Sequence, residues 1–148
     1  MKVLFVAGFF SALSLQACGQ KADAGKVPSV VVNALNARYN TAAGTEWEKK
    51  ESHYEAEFTL NGKELEVQVD QAGKILAEKS DILANELPAA VTTTLQSSYK
   101  DYQVDDAEKL DRGGAVYYQV ELEARGKKDL KKIFTSAGVE EKSLSYWD

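Results

Sequence analysis

The chain is poor in the residues that build covalent or metal-held structure. Its 148 residues include one Cys and one His. A single thiol cannot close an internal disulfide, and multi-cysteine zinc or iron–sulfur sites are excluded with it. A lone imidazole removes most His-based metal sites. Positive charge is also in short supply. Eighteen Lys and Arg face 23 Asp and Glu, for a net charge of −5, the opposite of the basic footprint of a nucleic-acid-binding domain. The apolar run from Leu4 to Leu15 falls short of the ~20 residues that span a bilayer. What remains, 44% hydrophobic and 28% charged, is ordinary globular composition for one domain or two very small ones.

That apolar run follows Lys2 and is interrupted only by Gly8, Ser11 and Ser14. It suits the h-region of a secretory signal peptide over residues 1–17. It ends in Leu15-Gln16-Ala17-Cys18, which resembles a bacterial lipobox, although Gln16 stands where a small residue is usual. The resemblance implies cleavage before Cys18 and its lipidation, with Gly19 at the following position directing the chain to the outer membrane, facing periplasm or cell surface. Ala22-Asp23-Ala24 is the rival cleavage signal and would give a soluble periplasmic protein. Lipid chains contribute about 0.8 kcal/mol per buried methylene, so the anchor needs no transmembrane helix. Gly19 to Lys26 is small and polar and reads as a flexible tether, with the lipidated cysteine and tether over 18–25 and the domain over 26–148.

The domain repeats itself. Val27-Pro28-Ser29-Val30-Val31 returns as Leu87-Pro88-Ala89-Ala90-Val91, Leu35 as Leu95 and Tyr39 as Tyr99. Tyr54-x-Ala56-x-Phe58 returns as Tyr118-x-Val120-x-Leu122, Asn61-Gly62-Lys63 as Arg125-Gly126-Lys127, and Ala72-Gly73 as Ala137-Gly138. Repeat 1 covers about 26–83 and repeat 2 about 86–148, and a repeat has to be found before the fold is assigned. Val27, Val31, Leu35 and Tyr39 form one apolar helical stripe, as do Leu87, Val91, Leu95 and Tyr99. Alternating strands follow: Tyr54, Ala56, Phe58 and Leu60 oppose His53, Glu55, Glu57 and Thr59, and Leu65, Val67 and Val69 oppose Glu64, Glu66 and Gln68. Asn61-Gly62 is a strong hairpin signal, because both central positions of a type I′ turn take positive φ. Further strands are expected over Lys74–Lys79, Val116–Ala124, Leu130–Thr135 and Val139–Tyr146, with weaker ones over Thr45–Glu51 and Val104–Asp111. The fold class is therefore α+β: two tandem repeats, each a helix followed by an antiparallel meander of three to four strands. The helices pack on one sheet face, the other faces water, and the halves share one core.

Tyr54-Glu55-Ala56-Glu57-Phe58, Asn61-Gly62-Lys63-Glu64 and Val69-Asp70-Gln71-Ala72-Gly73-Lys74, followed by Leu87-Pro88-Ala89-Ala90-Val91 and Tyr117-Tyr118-Gln119-Val120-Glu121, resemble the PepSY-like proteins that share the fold of β-lactamase inhibitor protein. Thr135-Ser136-Ala137-Gly138 departs from the pattern in lacking the Asp found at Asp70. The resemblance implies a small secreted or periplasmic protein with a binding or inhibitory role and no catalytic residues to carry over.

No nucleophile elbow, zincin helix or Cys/His cluster is present. His53 lies between Glu51 and Glu55 and reads as a surface strand residue. Glu55, Glu57, Glu64 and Glu66 fall on one sheet face, where paired carboxylates would suit a hydrolase or weak cation binding; interleaved lysines make a solvated face the plainer reading. Lys127, Lys128, Lys131 and Lys132 suit either steering of an acidic partner or edge-strand protection. Trp47, His53, Tyr117 and Trp147 fall off the core face, and exposed aromatics anchor protein interfaces; the alternative has Trp47 and Trp147 closing the core under the helices. The leading reading is a non-catalytic cell-envelope binding module, an inhibitor or modulator of an enzyme, needing no cofactor and no metal. Its protein or peptide partner would bind through His53, Glu55, Glu57, Glu66, Tyr117 and Gln119. The alternatives are a hydrolase using the face carboxylates and a passive cation-binding envelope protein.

Overall fold

The computed structural model describes residues 20–40 and 44–148; the expected signal peptide and the expected lipidation site, Cys18, lie outside them. Eight strands form one antiparallel sheet in sequence order. They are β1 (Gln20–Ala22), β2 (Glu46–Lys49), β3 (His53–Leu60), β4 (Lys63–Asp70), β5 (Ile75–Asp81), β6 (Gln103–Arg112), β7 (Ala115–Glu123) and β8 (Leu130–Thr135). Helix α1 (Ser29–Tyr39) lies between β1 and β2, and α2 (Ala89–Ser98) between β5 and β6. The repeat is therefore real at the level of elements. Each helix begins after a proline, Pro28 or Pro88, whose carbonyl accepts the first helical bonds.

Both apolar stripes land on the same sheet face. Val27, Val31 and Leu35 pack with Trp47, Tyr54, Ala56, Phe58, Val67 and Val69. Leu87, Val91 and Leu95 pack with Ala107, Val120, Leu122 and Phe134. These are two separate clusters, which corrects the expectation of one shared core. The halves are joined instead by the β5–β6 ladder and by a third cluster on the opposite face, where Ala77 of the first half meets Leu110 and Trp147 of the second.

The hairpins follow their local chemistry. Asn61 and Gly62 both take positive φ, 54° and 79°, as a type I′ turn requires. Asp70 Oδ1 accepts from the amides of Ala72 and Lys74 at 2.9 and 2.8 Å, which makes Asp70–Gly73 a side-chain-closed turn.

Two further expectations are corrected. The expected tether joins the sheet. Gln20–Ala22 pairs with β2, and Ala22, opposite Trp47, packs against the first core. Conversely, Val139–Tyr146 is not a strand. Its counterpart in repeat 1, β5, is held by β4 on one side and β6 on the other. In repeat 2 only β8 is present to hold it, and a single bridge, Phe134 to Glu140, forms. Beyond it the chain leaves the edge and lies across the open face, where Trp147 is 5% exposed.

Candidate functional site

Strand alternation puts His53, Glu55 and Glu57 on the face away from the helices, and register carries that face across the sheet. One row of neighbours runs Glu46, Glu57, Glu66, Lys79, Leu110, Tyr117. Another runs Glu48, Glu55, Gln68, Ala77. The face thus has an acidic first half and a second half of different character.

In the first half Glu55 is the hub. Its Oε1 accepts from Gln68 Nε2 at 3.0 Å and lies 3.1 Å from His53 Nε2, and its Oε2 lies 3.1 Å from Lys50 Nζ. Burial alone would raise its pKa, but the bonds from His53, Lys50 and Gln68 outweigh that and hold the carboxyl below its ordinary value. The folded pKa is depressed, so the stabilisation is present above the unfolded value near 4.5 and is lost as pH falls through the folded one. We expect thermal melts of Glu55→Gln to show a weaker loss of stability below about pH 4.5 than wild type; identical acid profiles would show that the hub carries no net linkage.

The neighbouring row is less satisfied. Lys21 reaches Glu46 at 3.0 Å, and Lys79 reaches Glu66 at 3.0 Å. The Glu57 side chain between them makes no hydrogen bond or ion pair among the described residues and is exposed. Partial burial raises the pKa of Glu64, with Glu57 and Asp81 adding to it. Burial also raises that of Glu66, against the pull of Lys79. Lys21, Glu46, Glu48, Glu57 and Glu66 border an open depression of about 250 Å³. Among the described residues no three His, Cys, Asp or Glu side chains converge as metal ligands would.

The second half is covered. The segment 141–148 forms a strap over it, and Gln119 beneath is fully buried. The Gln119 amide grips the strap backbone from both sides. Its Oε1 accepts from Trp147 N at 2.9 Å and its Nε2 donates to Trp147 O at 2.9 Å, while also donating to Glu108 at 2.7 Å. Lys79 donates to the same carbonyl at 3.1 Å, pairs with Glu108 at 2.8 Å and stands 5.1 Å from the centroid of the Trp147 ring. Burial would lower the Lys79 pKa, but Glu108 and Glu66 outweigh it and raise it.

Of the residues singled out from the sequence, the structure brings together His53, Glu55, Glu57 and Glu66. It separates Tyr117, which packs half-buried against the Trp147 cluster. It removes Gln119 from the accessible face altogether, because the strap supplies the backbone groups that its amide needs. Trp47 lies in the helix-side core and Trp147 on the opposite face. The basic patch is largely neutralised: Lys127 pairs with Asp101, Lys131 with Asp148, and Lys132 with Glu140. Lys79, Glu108 and the strap went unnoticed in the sequence. The one available signal was Gln119 at the repeat position of Glu55, an uncharged amide where the first copy has a carboxylate.

A single antiparallel sheet built from two copies of one unit, with both helices on one face and a polar face opposite, defines a two-repeat α+β module. The chain belongs to the family described as Putative beta-lactamase-inhibitor-like, PepSY-like, whose profile matches residues 16–77 and 76–139. Among solved structures it is similar to a DUF2874 family protein from Bacteroides uniformis, with 25% identity and a TM-score of 0.72 over 78% of this chain and 86% of that one. It is also similar to a BLIP-like protein from Bacteroides fragilis, with 28% identity and a TM-score of 0.66 over 78% and 83%. A protein from Bacteroides eggerthii described as putative periplasmic has the same fold, with 24% identity and a TM-score of 0.74 over 80% and 88%. No curated protein matches the chain.

Proposed function

We propose that the protein is a non-catalytic recognition module of the cell envelope whose uncovered half-face binds a protein or peptide partner carrying basic residues. The observation that supports this most directly is the run of Glu46, Glu57 and Glu66 on adjacent strands. Like charges directly opposite one another on a sheet are destabilising, and among the described residues Glu57 forms no ion pair: Lys21 spends its ammonium on Glu46 and acts on Glu57 only as a more distant charge. A partner with Lys or Arg over this row would relieve the repulsion and be steered toward it. His53 and Glu55 flank the row and shape its edge. The hydrolase alternative has less support, because both carboxylate oxygens of Glu55 are already engaged by His53, Gln68 and Lys50.

Membership of a family described as inhibitor-like, and likeness to a BLIP-like protein, favour a partner that is itself an enzyme. Export agrees with the periplasmic description of one structural neighbour. Anchoring through Cys18 would hold the module at the membrane, and no helix among the described residues is long and apolar enough to cross one.

The test is crosslinking capture of the partner from the native envelope, followed by binding kinetics. Glu57→Lys is expected to slow association by roughly tenfold at low salt, with the difference shrinking as salt is raised. Stability should stay within about 0.5 kcal/mol, since the residue is exposed and unpaired. If Glu57→Lys and Glu66→Gln both bind as wild type does, the half-face is not the recognition surface. Substrate turnover by the purified protein that disappears in His53→Ala or Glu55→Gln would replace recognition with catalysis.

A further inference from the structure

The covered half of the face holds its own chain in the way that a recognition domain holds a peptide. Gln119 is fully buried yet spends both ends of its amide on the backbone of one strap residue, Trp147. Lys79, 5% exposed, donates to the same carbonyl and faces the indole ring. Ala77, Leu110 and Tyr117 form the apolar floor. Lys131 stands 5.0 Å from the centroid of the Tyr146 ring and pairs with Asp148. Bidentate backbone capture, an apolar floor and two lysines against aromatic rings together read an extended Tyr-Trp-Asp sequence.

The strap is held by side chains gathered at Trp147 and Asp148 rather than by strand pairing. Among the described residues its backbone makes one bond to sheet backbone, from Glu141 N to Ile133 O. The Trp147 indole N–H is buried with no acceptor among the described residues. A segment held in this way can open as a local unit without unpairing a strand of the sheet. An unpaired buried donor weakens the occupant that carries it.

We infer that the Gln119–Lys79–Glu108 cradle is a second peptide site, which recognises an extended partner segment bearing paired aromatics followed by an acidic residue and is masked in cis by residues 141–148. This rests on the reading of the sheet face as a recognition surface. It assigns the two halves opposite ligand chemistry: basic residues over Glu57, aromatic and acidic residues over Lys79 and Lys131. A tethered strap competes at high effective concentration, so only a fraction of molecules is open and apparent affinity for an outside segment falls by that fraction.

The probe is a fluorescein-labelled peptide with the sequence of residues 140–148, titrated into the full chain. Trp147→Ala empties the ring site and should bind the peptide at least tenfold more tightly than wild type, whose own strap competes. Trp147→Phe keeps a ring in the cradle and should give an intermediate affinity; it covers the case in which the alanine variant does not fold. Adding Gln119→Leu to either folded variant should abolish binding, which ties uptake to the cradle and separates this site from the acidic half-face. Absence of peptide binding by the folded Trp147 variants, or binding that survives Gln119→Leu, overturns the inference. So does exchange of straps between whole chains with no uptake of free peptide, which would make the occupant a second copy.

Discussion

Gly138→Ala is expected to destabilise the protein by roughly 2–5 kcal/mol, whereas Gly126→Ala should cost only about 1–2 kcal/mol. The two glycines share nearly the same backbone, with φ of +77° and +75°. A Cβ at Gly126 would meet nothing within 4 Å, so the alanine there pays only the left-handed penalty of about 1–2 kcal/mol. A Cβ at Gly138 would lie 2.4 Å from the carbonyl oxygen of Ala90 and 3.0 Å from Thr94 Oγ1. Thr94 also donates to Gly138 O at 2.8 Å, so the turn cannot move off α2 without losing that bond. Overpacking adds about 1–3 kcal/mol. Gly73, its counterpart in repeat 1, lies 2.9 Å from Val30 O by the same measure, and its alanine variant should fall between the other two. Urea melts of the three variants decide the matter; a Gly138→Ala no worse than Gly126→Ala would show that the turn and α2 are not locked together.

Trp147→Ala should cost about 3–5 kcal/mol, the usual range for truncating a buried tryptophan. The residue is 5% exposed and completes the cluster in which buried Ala77 of the first half meets Leu110 of the second. Solvation of Lys79 and Gln119 after strap release will offset part of that loss. The effect should also be uneven. With Trp147 gone, Trp47 is the one remaining tryptophan and reports on the first core, while Tyr99 and Tyr118 pack against the second. Wild-type unfolding should follow one curve by both signals. In the variant, the near-UV circular dichroism of the tyrosines should fall in two steps: the share from Tyr99, Tyr102 and Tyr118 at lower urea, and the share from Tyr39 and Tyr54 together with Trp47 fluorescence. A midpoint shift worth less than about 1 kcal/mol would mean that the strap merely rests on the sheet, far below the ordinary truncation cost.

Much of this architecture was legible because it depends on period and local turn chemistry. The four-residue spacing of Val27, Val31 and Leu35 specifies an apolar helix stripe wherever the helix docks. The alternation from His53 to Leu60 specifies two faces whatever pairs with the strand. Asn61-Gly62 and Asp70-Gly73 close turns with their own backbone and side-chain groups. The duplication then followed from comparing positions, and with it the placement of Glu55, Glu57 and Glu66 on one face, since residues directly opposite one another across a hairpin share a side and the two-residue Asn61-Gly62 turn sets Glu57 against Glu66.

Only the tertiary structure decided how that face is used. Alternation assigns Gln119 to the side away from the helices but says nothing about what else arrives there. Residues 139–146 carry a strand-like pattern, yet a strand needs a neighbour to take up its backbone groups, and here only the edge of β8 is offered. The chain instead satisfies Trp147 by burying it on Leu110 and Ala77 and by giving its amide and carbonyl to Gln119, a contact between residues 28 apart. For Trp47 local parity leaves two readings, off the core face or closing the core under a helix, and its register opposite Ala56 decides for the second, under α1. The separation of the two helix-side cores, and their connection through the strap, likewise depend on which side chains meet across the sheet. Periodicity is a property of a segment and survives without its surroundings; burial is a property of what packs on top, and that is settled only when the whole chain has folded.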